Sequence, residues 1–213
     1  MLMPAYTKSF LSVVLATVIS ACGVTPQEYD NETPVMDMKT YFNGPLQAWG
    51  LFQDYREKVI KRFHVRMHGK WKNNKGILDE HFTYSDGSTQ RRVWSLVRID
   101  KHNYTGTADD VIGEAKGVAF GNALRWQYTL ALEVDRDIYH VQFDDWMYSI
   151  DENTVINRSV MSKYGVNLGE VILVFIKPES FIKPESDKKA NDNRGLFKMP
   201  EVSSIDHNTS AIL

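Results

Sequence analysis

Two pairs of adjacent aspartates, Asp109-Asp110 and Asp144-Asp145, hold the carboxylates best placed in this chain for binding or acid/base chemistry. Neighbouring residues on a strand point to opposite faces, so one member of each pair must face inward if its strand belongs to a barrel. Asp110 and Asp145 are the candidates for that position. The competing reading for the first pair is a loop in which both carboxylates cap backbone donors.

Register sharpens the case for Asp145. If Asp135-Arg136 is a two-residue turn, Leu132 faces Tyr139, Leu130 faces Val141, Tyr128 faces Phe143 and Trp126 faces Asp145. Apolar meets apolar until Asp145, and a slip of one would turn His140 and Asp144 inward instead. Closing the next hairpin at Glu152-Asn153 sets Met147 opposite Arg158 and Asp145 opposite Val160, with Arg158 diagonal to Asp145 on the inner face. Diagonal neighbours lie about 7 to 8 Å apart, within reach of arginine. A carboxylate buried alone costs several kcal/mol or takes up a proton, so Arg158 is its expected partner. Glu80 shares a face with Leu78, Phe82 and Tyr84 and can join the same cluster. Two roles fit: a structural ion pair, or a polar anchor for a ligand headgroup at one end of an apolar cavity. Trp126, with Trp49, Trp71, Trp94 and Trp146, either lines such a cavity or fills an ordinary barrel core.

Other chemistries find no footing. The sequence holds no GxSxG, HExxH or P-loop, and no GxGxxG that opens a helix, so no catalytic residue and no cofactor is assigned. His64 and His68 have a helical metal-ligand spacing, but on a strand they lie about 13 Å apart along a solvated face, and no metal site is expected. A single cysteine excludes an intramolecular disulfide and a CxxC redox motif. A net charge of −2 without a basic tract leaves nothing to neutralise phosphates, which argues against nucleic acid and against polybasic membrane binding.

The elements that must position these residues are strands. Residues 62–68 and 124–134 alternate apolar and polar side chains, the pattern of a strand with one wet face. Further strands are expected at 47–54, 76–84, 89–99, 103–107, 111–118, 138–149, 154–162 and 169–177, with Asp86-Gly87 as a two-residue hairpin turn. No segment offers an amphipathic helix of three turns. The fold expected is therefore all-β: an antiparallel, up-and-down, lipocalin-like β-barrel of about eight to ten strands over residues 38–177, since closure removes the edges. A two-sheet sandwich is the alternative.

Both ends of the chain read differently. The apolar run Phe10–Ile19 behind Lys8 is too short to span a bilayer and reads as a signal peptide covering residues 1–21. Ile19-Ser20-Ala21-Cys22 is similar to the bacterial lipobox, which makes Cys22 the lipidation site and membrane lipid a partner through its acyl chains. Gly23 at the next position favours the outer membrane. Residues 22–37, with two prolines and four acids, read as an acylated tether. Residues 178–213, rich in charge and poor in aromatics, read as a disordered tail. Two consecutive FIKPES copies begin at Phe175, through a duplication slip or as a docking peptide.

The succession Phe42-Asn43-Gly44, Gly50-Leu51-Phe52-Gln53-Asp54, Tyr84-Ser85-Asp86-Gly87 with Arg91-Arg92-Val93-Trp94, Gly106-Thr107-Ala108-Asp109-Asp110, Gly121-Asn122-Ala123-Leu124, Phe143-Asp144-Asp145-Trp146-Met147, Asn157-Arg158 and Ser162-Lys163-Tyr164-Gly165 resembles the bacterial lipoprotein family known as domain of unknown function 3833. The resemblance runs from about residue 38 to 177, and the tail looks like an addition to it. It implies an envelope lipoprotein with a small lipocalin-like barrel and no established activity. Similar proteins are often encoded near genes for cyclopropane-type fatty-acid modification, a tilt towards lipids. The expected function is binding or handling a lipid or other apolar ligand at the periplasmic face of the envelope. A non-enzymatic assembly factor contacting another envelope protein is the alternative. An enzyme acting on lipid intermediates ranks third, for want of a nucleophile, metal set or cofactor motif.

Overall fold

The computed structural model describes residues 23–178 apart from Asp135. The signal peptide, Cys22 and nearly all of the expected tail lie outside the described residues. Ten strands run in chain order: β1 (Gly44–Asp54), β2 (Val59–Lys72), β3 (Lys75–Tyr84), β4 (Thr89–Arg98), β5 (Asn103–Thr107), β6 (Ala115–Phe120), β7 (Ala123–Val134), β8 (Asp137–Ser149), β9 (Thr154–Lys163) and β10 (Val166–Ile176). Each pairs antiparallel with its neighbour, and β1 pairs with β10 to close the barrel. Closure rules out the sandwich. The strand expected at 111–118 begins later, at Ala115; Val111 contributes only an isolated bridge to Leu130.

The inner face follows the alternation of the sequence. Val65, Met67, Leu78, Trp94, Leu96, Trp126, Val141 and Phe143 are all buried. Gly117 is forced by this packing, because a β-carbon there would stand 2.5 Å from the Trp126 ring.

One end of the barrel is stoppered. The single helical turn α1 (Met38–Tyr41) starts at Asp37, whose carboxylate accepts from the Thr40 backbone N–H at 2.7 Å. The other Asp37 oxygen accepts from the Tyr104 hydroxyl at 3.2 Å and pairs with Arg98 at 3.1 Å. At the C-terminal end of the turn, the buried Lys177 ammonium donates to the Thr40 and Tyr41 carbonyls at 2.7 and 2.8 Å. The Tyr41 hydroxyl donates to Asn153 and Phe175 carbonyls. Phe42 packs edge-on against Phe175 with ring centres 5.5 Å apart. Gly69 must be glycine here, since a β-carbon would fall 1.7 Å from the Phe42 carbonyl oxygen.

Residues 23–37 are not a free tether, which corrects the expectation from composition. A short 3-10 turn (Pro26–Tyr29) lies against the outer wall, with Pro26 buried and the Tyr29 ring 5.5 Å from that of Tyr148. Met36 is buried, and its N–H donates to the Gly121 carbonyl at 2.7 Å. Of the acids that made the segment look solvated, Glu28, Asp30 and Glu32 are exposed and Asp37 is taken up by the plug, while Pro26, Tyr29 and Met36 supply an apolar face that the barrel covers.

Candidate functional site

A cavity of about 670 Å³ occupies the lumen above α1. Met38 and Phe42 form its floor. Its walls are apolar and largely aromatic, including Phe63, Phe82, Trp94, Trp126 and Phe143. Towards the opposite end it reaches Thr89, Gln90 and Glu133, which are exposed, so the lumen opens between the β1–β2, β3–β4 and β7–β8 hairpins. Pockets of this size, mostly apolar with a few placed polar groups, are the usual form of a small-molecule site.

The polar groups are carried by β3, β4, β7, β8 and β9. Glu80 and Arg92 are direct cross-strand partners on the inner faces of β3 and β4. Asp110 reaches in from the β5–β6 connection and accepts from Arg92 Nε and Nη2, at 2.9 and 2.7 Å to the same carboxylate oxygen. Asp145, opposite Trp126 on β7, accepts from the Ser159 hydroxyl. Tyr128 lies between them, stacked on Phe143 with ring centres 4.9 Å apart.

Burial dominates the electrostatics. It raises the Glu80 carboxyl to about 7 against the opposing pull of Arg92. It raises Asp145 to about 7 against the Ser159 hydroxyl and, more weakly, Arg92. Burial also lifts the Tyr128 phenol well above its ordinary value, and Asp145 adds to the effect. Arg92 loses solvation too, but Tyr128, Glu80 and Asp110 together hold its pKa above that of a free guanidinium. Near neutral pH the lumen thus holds a fixed cation clamped by Asp110 and two carboxyls balanced between their protonated and ionised forms.

The structure brings Asp145, Glu80, Trp126 and Asp110 to one cavity. It does not bring Arg158. Arg158 stands opposite Trp146, points outward, and its Nε donates to Glu170 at 2.9 Å. The cause is the β8–β9 turn, which has three residues, Asp151 to Asn153, between the paired Ile150 and Thr154. That odd number sets Asp145 opposite Ser159 and Met147 opposite Asn157, shifting every expected partner by one. Asp144, the outer member of its pair, binds Arg125 in a fork at 2.7 Å. His64 is half-buried on the outer wall and meets Gln47 at 2.8 Å. Among the described residues no set of three His, Cys, Asp or Glu converges to hold a metal.

Arg92, Ser159 and Asn157 are site residues that the sequence reading missed. A signal for Arg92 existed. The β3–β4 turn also has three residues, with Gly87 at φ 83° and the Gly87 N–H donating to the Tyr84 carbonyl. Glycine in the left-handed region is the mark of the three-residue hairpin as well as the two-residue one. Counting three places Arg92 opposite Glu80.

The family of proteins of unknown function DUF3833 matches residues 16–177 of this chain, which include the whole barrel and every residue of the cluster. The chain belongs to this family. This DUF3833 barrel is similar in fold to an S-type phycobiliprotein lyase, CPES, from Guillardia theta, with a TM-score of 0.53 and 5% sequence identity over 73% of this chain and 99% of that one. A second solved structure, EF1p2_mFAP2b bound to DFHBI, aligns with a TM-score of 0.37 and 8% identity over 67% of this chain and 100% of that one. No curated protein sequence matches the DUF3833 chain.

Proposed function

We propose that this barrel takes up a lipid or other apolar small molecule end-on through its open mouth, at the periplasmic face of the cell envelope, where acylated Cys22 holds it, on the outer membrane. The observation that carries the reading is the cavity of about 670 Å³, mostly apolar along its walls, floored by Met38 and Phe42, and polar at its cluster and its mouth. An interior that served only as structural core would be filled to near-crystalline density. The lipobox-like Ile19-Ser20-Ala21-Cys22 and the short apolar run before it support the anchor. The test is to purify the chain carrying Cys22→Ser from its own host and analyse its organic extract by mass spectrometry. A stoichiometric apolar compound is expected, and Val171→Trp, which fills the lumen near the mouth, should abolish its retention. An empty extract together with unchanged behaviour of the tryptophan variant would overturn the proposal.

A second reading, docking onto another envelope protein, is favoured by the rim. Tyr55, Ile138, Tyr164 and Val166 surround part of the mouth and are all more than 60% exposed. An apolar fringe of this kind marks an interaction surface. Tyr55→Ser with Tyr164→Ser should impair transfer in the cell without emptying the lumen if the rim serves docking.

A further inference from the structure

We propose that the ligand of this lumen carries a protonated amine at its polar end, held by the carboxylates of Glu80 and Asp145 with the Asn157 side-chain carbonyl as a third acceptor. The inference rests on the reading that the lumen takes up an apolar molecule, and adds the chemistry of its headgroup.

The argument is a balance of donors and acceptors. The cations that line the cavity are Lys61 and Arg92. Both are engaged: Arg92 is forked onto Asp110, and Lys61 pairs with Asp86 at 3.0 Å. The carboxyls that line it are Glu80, Asp110, Glu133 and Asp145, of which only Asp110 has a cation bound to it within the lumen. Glu80 is 8% exposed and has the Arg92 field and the Trp94 side chain to favour its charged form, but no direct ion pair. Asp145 has one hydroxyl donor, Ser159. Asn157 is 2% exposed, lines the same cavity, and its Oδ1 has no hydrogen-bond partner. A buried amide oxygen without a donor costs about 1 to 3 kcal/mol, so it marks a place where a donor belongs.

An anionic headgroup would meet these carboxyls with no free cation to receive it, which weighs against fatty acids and phosphates. A neutral alcohol could bond to one carboxyl but would leave the other desolvated. An ammonium has three donors and no acceptor, which matches in number the two carboxyls and the amide oxygen that line the cavity. The rings of Trp126 and Tyr128 line the same cavity, Trp126 being the residue opposite Asp145. β3 and β8 stand on opposite sides of the ten-stranded ring, so the two carboxyls reach the lumen from facing walls, and a cation between them lies in the field of both.

Binding of an ammonium would lower both carboxyl pKa values and release protons. The experiment compares decylamine, 1-decanol and decanoate as probes, by native mass spectrometry on the full chain at pH 7 and by titration calorimetry in two buffers of different ionisation enthalpy. Decylamine should bind at least tenfold more tightly than 1-decanol, decanoate weakest, with net proton release for the amine alone. In Glu80→Gln/Asp145→Asn the amine preference should vanish while 1-decanol still binds. Equal binding of amine and alcohol, or amine binding without proton release, overturns the inference and leaves the lumen reading intact. Failure of all three probes overturns the lumen reading itself. If the double variant does not fold, proton release by the unchanged chain decides.

Discussion

The two ends of the barrel solve opposite problems with the same strands. At the α1 end, Asp37, Tyr41 and Lys177 tie a helical turn into the rim through backbone carbonyls, a tyrosine hydroxyl and an arginine, and Phe42 seals it. Towards the mouth the lumen is left unfilled, and Glu80 and Asp145 sit below it without an ion-pair partner. Polar groups in the plug gain bonds on folding, whereas those in the lumen lose solvation that folding does not return. The plug therefore serves stability, and the lumen holds chemistry that an ordinary core would avoid.

The largest effect that could break this contrast is at the plug. Phe42→Ala removes a buried aromatic from the floor and should destabilise by about 3 to 5 kcal/mol in urea or thermal unfolding. A loss under about 1 kcal/mol would mean that the stopper adds little. Asp110→Ala comes next. It strands the Arg92 guanidinium, whose side chain is 13% exposed, and should cost about 2 to 4 kcal/mol. Recovery of most of that loss by Arg92→Leu in the same chain would confirm that the stranded charge is responsible.

Smaller, but specific in sign, is the pH response. The Glu80 and Asp145 carboxyls are at about 7 in the folded chain, and at roughly 4 when unfolded. Between those values the folded chain holds more protons than the unfolded one, so their contribution is fully present below pH ~4, declines as pH rises, and is gone above pH ~7. The protein should melt higher at pH 5 than at pH 8, by an amount on the order of 2 kcal/mol per carboxyl. In Glu80→Gln/Asp145→Asn that difference should collapse, and the variant should be at least as stable as the parent at pH 8. A slope unchanged in the variant would assign the pH response to other groups. The smallest effect is on the outer wall, where Arg158→Gln breaks an exposed pair with Glu170 and should change stability by less than about 0.5 kcal/mol.

How far the sequence could be read depended on turn length. Alternation placed the strands, and the β7–β8 register that sets Trp126 opposite Asp145 followed from a two-residue turn in which Arg136 adopts φ 74°. The same reasoning failed at β8–β9. A turn of three residues instead of two moved Arg158 to the outer wall and brought Ser159 to Asp145. Strand periodicity of two makes parity decisive, so one uncounted turn residue exchanges the faces. The β3–β4 turn hid Arg92 in the same way, although Glu80 itself was placed on the correct face by its apolar companions. Bulges between Phe52 and Gln53 and between Asn167 and Gly169 leave no mark on the alternation. Neither does the docking of residues 23–37, because three apolar contacts decide it against a mostly polar composition.

That docked segment sets the working radius of the protein. Fifteen free residues between Cys22 and α1 would let the mouth sweep a hemisphere of about 50 Å, since an extended chain spans roughly 3.3 to 3.6 Å per residue. With Pro26 already buried against the wall, only Gly23, Val24 and Thr25 remain as slack, about 10 Å. A barrel anchored at the proposed Cys22 lipid would swivel close to its bilayer and would not range across the periplasm. Cargo would have to come to the mouth, from the membrane beneath or from a carrier that crosses the gap.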